Sequence, residues 1–336
     1  MPRGRIFLLL SAFFFFNLAR AYPGEEESTL FWPRPPAEMR IAFVKSVYSP
    51  AELGIKAGFF KKLKRAIFGE EKDVLGRPVA IAVDSQKTIY VCDTKKPALY
   101  ILIPKEKGYK KITAVNNQEL LSPVAVAVSD NRLVFIADSE LKKVFCLDQQ
   151  GRYKFTVGPD KMFQRPTGLV ISKDKLYVAD TSGNNISIFD LTGKFISEFG
   201  RRGDKEGEFN YPTAIAADSA GKIYVVDALN FRVEVFNAAN NFLYSIGEPG
   251  DSSGSFSRPK AVALDSFGHI YVTDGMFDNI QIFDQKKRFL LSLGESGNKN
   301  GEFWIPCGIA VDKDNYIYIA DAYNQRVQIL HYLGKE

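Results

Sequence analysis

The sequence predicts an all-β fold, a six-bladed β-propeller of four-stranded antiparallel blades. Proline begins a similar unit six times, at spacings of 43 to 47 residues. An aspartate ends a short aromatic or apolar strand in every unit, so two independent markers keep one register. Four short strands separated by Gly, Asn, Asp and Ser in about 45 residues are typical of a propeller blade. The prolines are Pro78, Pro123, Pro166, Pro212, Pro259 and Pro306; the aspartates are Asp93, Asp138, Asp180, Asp227, Asp274 and Asp321.

The fourth unit illustrates the predicted blade, with strands at 212–218, 223–227, 232–236 and 242–246. The residue two positions after each proline is Ala or Gly, because only small side chains fit where blades converge near the axis. An apolar residue stands three positions before each proline, and we expect it to fill the space between neighbouring blades. These residues are Leu75, Leu120, Phe163, Phe209, Phe256 and Phe303.

Residues 207–218 and 223–236 resemble NHL repeats, and residues 301–330 repeat the pattern. The resemblance covers about 75–330 and is strongest in units three to six. It implies a propeller domain over 75–336 and membership in a family that contains many binding modules and a few enzymes. The sequence contains no Trp-Asp dipeptide, which disfavours a propeller of the WD type.

The first residues have the pattern of an export signal. Arg3 and Arg5 precede the apolar run 6–16, and small residues flank Arg20 at a predicted cleavage site after Ala21. The apolar run is too short to cross a hydrocarbon core, which needs about 20 residues. We therefore predict a signal peptide over 1–21 and a secreted or periplasmic protein, and a retained anchor is the alternative.

The chain between the signal and the first blade is predicted to close the ring. Unit six lacks a fourth strand, whereas residues 40–48 form an orphan strand pattern that would cover the open edge of that unit. Residues 22–39 are rich in proline and acidic residues, and we expect an extended tether there. The segment 40–74 also contains an amphipathic helix pattern from Ile55 to Ile67, preceded by a capping serine, Ser49.

Charge argues against nucleic acid as a partner. The formal net charge is +5, of which three charges belong to Arg3, Arg5 and Arg20, leaving +2 for the cleaved chain. No propeller segment carries the concentrated basic field that phosphate binding requires. The lysines beside the amphipathic helix face are expected to be solvated, and the alternative is peripheral contact with a membrane surface or an acidic partner.

Catalytic and metal-binding patterns are not found in the sequence. Two histidines, His269 and His331, are too few for a three-histidine zinc site, and the three cysteines show no metal or haem spacing. We predict buried free thiols, no metal and no cofactor. Aspartates recur six residues after four of the prolines, where turn caps are favoured over a calcium-binding ring. They are Asp84, Asp218, Asp265 and Asp312, with Ser129 and Ser172 in the other units. The same capping role is expected for the six strand-ending aspartates.

The prolines and the loops after the strand-ending aspartates are expected at one face. Aromatic residues beside arginines on loops of a rigid scaffold are typical of protein interfaces. The candidate binding residues are Lys143, Asn185, Phe231, Arg232, Lys260, Phe277, Asn279, Tyr323, Asn324 and Arg326. The favoured function is a monomeric protein-binding or scaffolding propeller at the cell envelope rather than an enzyme. The alternatives are a metal-assisted lactonase or lyase with its site in the channel, and a sensor or envelope-assembly component.

Overall fold

The structure is a computed structural model that describes residues 30–34, 37–55 and 74–334. The predicted signal peptide and most of the predicted amphipathic helix lie outside these residues. The capping box at the predicted helix start is present: the Ser49 hydroxyl accepts from the Ala51 amide, and Glu52 accepts from the Ser49 amide at 2.8 Å. It begins a short 3-10 helix, Pro50–Leu53. No helix of the described residues has the length and apolar character needed to cross a membrane.

The described residues form six blades around a central channel, as predicted. The first two are β3 (Pro78–Val83), β4 (Ile89–Asp93), β5 (Ala98–Ile103) and β6 (Gly108–Ile112), then β9 (Pro123–Val128), β10 (Val134–Asp138), β11 (Lys143–Leu147) and β12 (Tyr153–Thr156). A small hairpin, β7 (Ala114–Val115) and β8 (Gln118–Glu119), joins them. The next two are β13 (Pro166–Ser172), β14 (Lys175–Asp180), β15 (Asn185–Asp190) and β16 (Phe195–Phe199), then β17 (Pro212–Ala217), β18 (Ile223–Asp227), β19 (Arg232–Phe236) and β20 (Phe242–Ile246).

The fourth blade also contains a 3-10 turn, Ala228–Asn230, before β19. The fifth blade consists of β21 (Pro259–Leu264), β22 (Ile270–Asp274), β23 (Asn279–Phe283) and β24 (Phe289–Leu293). The sixth consists of β25 (Pro306–Val311), β26 (Tyr316–Asp321) and β27 (Arg326–Tyr332), together with two strands from the start of the described chain, β1 (Phe31–Trp32) and β2 (Ile41–Val47).

The predicted closing strand is confirmed. β2 pairs antiparallel with β27, with Ile41 opposite Tyr332 and Val47 opposite Val327. The side chains of Ile41 and Val47 are each 1% exposed, because they enter the spaces on either side of the sixth blade. β2 therefore covers the edge of the sixth blade that β27 would otherwise leave open.

Part of the predicted tether is ordered as a strand. Phe31 and Trp32 pair with Ala42 and Ile41, so β1 becomes the outermost strand of the sixth blade. Trp32 packs against Gly301, where an added Cβ would lie 2.8 Å from the indole and where φ is +80°. Within the segment 22–39, where we expect an extended tether, Phe31 and Trp32 thus form a strand, because Trp32 finds an apolar contact in the cluster between blades five and six.

Six apolar clusters stabilise the ring, one in each space between neighbouring blades. Each cluster contains one of the six residues predicted to fill these spaces. The side chains of these six residues are 4% exposed or less. The innermost strands approach closely: a Cβ on Gly308 would lie 2.7 Å from the Ala80 Cα of the first blade. The small residues after the prolines are thus required by backbone contact between blades.

Candidate functional site

The site is built on one end of the propeller, which the strand register defines. In each blade the first strand starts at its proline, directly opposite the aspartate that ends the second strand, as for Pro212 and Asp227 or Pro259 and Asp274. The prolines and the loops after these aspartates therefore lie at one end, as predicted. We name this end the proline face.

Buried carboxylates organise the proline face. Asp274 accepts hydrogen bonds from the backbone amides of Ser257 (2.8 Å), Arg258 (3.0 Å) and Met276 (2.9 Å). In the other five blades the equivalent aspartate accepts from the amide two positions before the proline of its own blade, and all six aspartates are 3% exposed or less. Such fully bonded carboxylates hold loops in fixed positions. The predicted capping role is confirmed for the strand-ending aspartates.

The aspartates at the opposite end are also turn caps, as predicted. Asp265 Oδ1 accepts from the amides of Phe267 (3.0 Å) and His269 (2.8 Å). Its Oδ2 accepts from the Tyr271 hydroxyl at 2.9 Å. Asp84, Asp218 and Asp312 repeat this arrangement. Over the described ranges, no three His, Cys, Asp or Glu side chains are grouped so that they could hold a metal ion.

Two of the predicted binding arginines stabilise the loops themselves. Arg326 is 1% exposed, and its guanidinium donates to Asp321 (2.7 Å) and to the carbonyls of Lys299 (2.7 Å) and Glu302 (2.8 Å). Arg232 makes the equivalent contacts in the fourth blade, two repeats earlier. Its guanidinium donates to Asp227 at 3.1 Å and to the carbonyls of Lys205 and Glu208. Since their donors are used inside the chain, neither guanidinium is available as a main contact for a partner.

Asn324 and five further candidates are also engaged or half-buried. Asn324 Nδ2 donates to the Gly297 carbonyl at 2.8 Å, Asn185 Nδ2 to Glu198 at 3.0 Å and Lys143 Nζ to Gln118 at 3.1 Å. Half-buried aromatic residues complete this group: Phe231, which packs on the cluster between blades four and five, and Phe277, beside the half-buried Asn279. The predicted set is therefore mostly part of the repeat's own framework.

Tyr323 is the predicted aromatic residue that projects into solvent, and the structure gives it two neighbours that the sequence analysis missed. Its ring lies 5.4 Å from that of Trp304, and the Arg77 guanidinium lies 5.0 Å from the Tyr323 ring centroid. Trp304 is 51% exposed and Tyr323 41%. Met276, 60% exposed, follows Gly275, where an added Cβ would lie 3.3 Å from the side chain of Ile305, the residue after Trp304. We name Arg77, Met276, Trp304 and Tyr323 the aromatic patch.

A positively charged channel mouth adjoins the aromatic patch. The innermost strands enclose a cavity of 270 Å³ whose lining includes Thr167, Thr213, Lys260 and Cys307. Burial lowers the pKa of the Lys260 ammonium, to which no described residue provides an ion pair or a hydrogen bond. Burial raises the pKa of the Cys307 thiol, and the nearby cations Lys260, Arg258 and Arg77 act in the opposite direction. The predicted position of Lys260 near the channel mouth is confirmed.

The other cysteines are buried inside the blades. Cys92 and Cys146 are fully buried free thiols, as predicted, and burial raises the pKa of Cys146 to about 12. They stay protonated at neutral pH and are therefore weak nucleophiles.

A buried glutamate below Arg232 makes stability depend on pH. Burial raises the pKa of Glu234 from 4.5 to about 7, although the Arg232 guanidinium lies 2.8 Å away. The folded state therefore binds this proton more tightly than the unfolded chain, so the stabilisation is complete below pH 4.5 and is lost as pH rises to about 7. We expect Glu234→Gln to raise the free energy of unfolding at pH 8 by on the order of 1 to 3 kcal/mol and to leave it nearly unchanged at pH 4.

Urea unfolding at both pH values measures this effect, and the fifth blade offers the matched control. Gln281 occupies the equivalent position, and its amide nitrogen donates to the Ser255 carbonyl at 2.7 Å. The reverse change, Gln281→Glu, should lower stability at pH 8 more than at pH 4. An unfolding free energy of Glu234→Gln that follows pH as the unchanged protein does would contradict the assignment.

Comparison with known proteins identifies the family. A family profile described as a 6-bladed beta-propeller matches residues 159–249 and 256–332, half of the chain. Similar solved structures include a virginiamycin B lyase from Staphylococcus aureus with quinupristin, with 14% identity, a TM-score of 0.57, and coverage of 76% of this chain and 95% of that chain. An auxiliary nutrient binding protein from Bacteroides thetaiotaomicron has 13% identity, a TM-score of 0.61, and coverage of 77% and 70%.

A nidogen/laminin complex structure is 20% identical, with a TM-score of 0.54 and coverage of 72% of this chain and 84% of that one. At these identities the likeness concerns the fold, and the partners of those proteins are theirs alone. The profile description and the structure agree on six blades. The chain belongs to the family described as a 6-bladed beta-propeller.

Proposed function

We propose that this protein is a binding propeller that captures a protein partner on its proline face, outside the cytoplasm. The observation that carries the proposal is the aromatic patch, where the exposed rings of Trp304 and Tyr323 pack against each other at a 39° tilt on loops fixed by buried aspartates. Aromatic residues and arginine supply most of the binding energy in protein interfaces, especially on rigid supports. The export signal expected from the sequence supports a location in the periplasm or outside the cell.

Charge around the channel mouth indicates an acidic partner segment. Arginine immediately precedes the proline in blades one, three and five, at Arg77, Arg165 and Arg258, and all three are exposed. Arg165 donates to the Tyr211 hydroxyl at 2.6 Å, and no described carboxylate forms an ion pair with these three arginines. With Lys260 at the centre, this end attracts a carboxylate-bearing segment and orients it towards the aromatic patch.

The proposal predicts which peptides the protein selects from a random displayed library. We expect enriched peptides to combine an aromatic or large apolar residue with Asp or Glu. Trp304→Ala with Tyr323→Ala should weaken their binding at least about tenfold, because exposed aromatic anchors carry interface energy. Arg258→Ala should weaken binding chiefly at low salt, since screening removes its contribution. Titration calorimetry with the selected peptides measures both effects.

Leu243→Ala is the matched control, because Leu243 is also exposed (42%) but lies on β20, on the outside of the fourth blade. The melting temperature and the peptide affinity of the Leu243→Ala variant should equal those of the unchanged protein. If the selected peptides bind the double aromatic variant as tightly as the unchanged protein, or if no peptide is enriched, the proline face is not the binding surface.

A further inference from the structure

A second cavity lies at the end of the propeller opposite the proline face. It has a volume of 310 Å³ and lies between the fifth blade and the closing strand β2. Its walls are mainly apolar, from Ile41, Ile282, Leu290 and Leu291, with the ring of Tyr332. The polar side chains that line it include His269 and Arg40. Small-molecule sites combine an apolar cavity of this size with a few convergent polar groups.

His269 is held so that one ring nitrogen is left for a ligand. Its Nδ1 lies 2.7 Å from Oδ2 of Asp265, whose side chain is completely buried. The ring packs edge-on against Tyr332, with 5.1 Å between the centroids. No described residue forms a hydrogen bond with Nε2 of His269. A carboxylate partner at Nδ1 fixes the ring orientation, as it does for histidines in binding sites.

The imidazole is not required by the repeat. The turn cap needs only the backbone amide of the fourth residue after the aspartate, and other blades place Thr88, Lys222 and Tyr316 there. The fifth blade alone has a histidine at this position among the six units. The His269 imidazole is thus not needed for the turn of the fifth blade. It lines a cavity that the closing strand β2 completes.

We propose that this cavity binds a small apolar carboxylate. The aliphatic walls suit a hydrocarbon body, and the His269 imidazole and the Arg40 guanidinium suit a carboxylate at the polar end. No Asp or Glu side chain is among the described residues that line the cavity, so a bound carboxylate meets no like charge at the wall. The site is independent of the partner surface on the proline face.

Octanoate tests the proposal, with octan-1-ol as the uncharged probe of the same chain length. Titration calorimetry at pH 6 on the unchanged protein should show saturable octanoate binding and weaker octanol binding. We expect His269→Gln and Arg40→Gln each to weaken octanoate binding about tenfold, since each removes a charge-assisted hydrogen bond, and to leave octanol affinity nearly unchanged. His331→Gln should leave both affinities unchanged, because His331 does not line the cavity.

The contribution of the apolar wall is tested by a pair of matched leucine variants. Leu290→Ala should weaken binding of both probes, whereas Leu243→Ala, at the equivalent exposed position of the fourth blade, should weaken neither. Both leucines are more than 40% exposed, so neither change threatens folding. The proposal is overturned if octanoate does not bind, if octanol binds as tightly, or if the His269, Arg40 and Leu290 variants retain full octanoate affinity. The variant with Trp304→Ala and Tyr323→Ala, which should no longer capture peptides, should still bind octanoate with unchanged affinity.

Discussion

A chain that begins at residue 49 is expected to lose most of its stability, because it lacks the strand that completes the sixth blade. Ile41 and Val47 are each 1% exposed, and fully burying such side chains contributes about 1.5 to 3 kcal/mol each. The truncation also leaves β27 as an open edge and removes the Tyr48 hydroxyl from its 3.1 Å contact with Arg326. We expect a loss of at least about 5 kcal/mol, comparable with the whole stability of many domains.

Thermal and urea unfolding of the purified chains measure this loss. A chain that begins at residue 30 is the control, since it retains both β1 and β2 and should melt as the longer protein does. A chain that begins at residue 40 should lie between the two, because it loses only the Trp32 contact and the short pairing of β1. If the chain that begins at residue 49 melts within about 2 °C of the control, β2 does not hold the ring closed.

Arg326→Ala is expected to have the second largest effect, a loss of about 3 to 5 kcal/mol. The change leaves the Asp321 carboxylate, 0% exposed, without its guanidinium partner and removes the donors to the carbonyls of Lys299 and Glu302. A buried charge without its partner is more costly than the ion pair is favourable. The loop that Arg326 holds in place also supports Gly301, against which Trp32 packs.

Arg288→Ala provides the matched comparison. Its guanidinium lies 2.6 Å from Asp284, but its side chain is 69% exposed, so its removal should cost less than about 1 kcal/mol. Urea unfolding of both variants gives the two free energies. Equal losses for the two arginines would show that burial of Arg326 contributes nothing, which would contradict the role assigned to it.

Much of the candidate surface could not be predicted because repeat positions do not indicate exposure. Tyr323 and Arg326 are three residues apart in the sequence, and the repeat pattern does not distinguish their exposure. Tyr323 is 41% exposed and Arg326 is 1% exposed, because the segment 294–302 covers the guanidinium and leaves the phenol ring in solvent. Trp304 was missed because its position before the proline carries different residues in other blades, such as Gly76 and Ser257.

The sequence by itself determined the architecture of this protein. Repeated prolines and aspartates mark the strand ends in every unit, and β2 shows as an apolar strand pattern without a partner nearby in the chain. These features can be predicted from the sequence because turn and strand preferences are local and because the same pattern recurs in all six units. The role of the strand-ending aspartates followed from the same regularity.

Only the tertiary structure decided which side chains meet across the ring. Arg77 of the first blade reaches Tyr323 of the sixth, and Ile41 lines the same cavity as His269. These pairs are separated by more than 200 residues and follow no repeat interval. Circular closure brings β2, near the start of the described residues, beside β27, so the surface at blades six and one and the cavity beside β2 exist only in the folded ring.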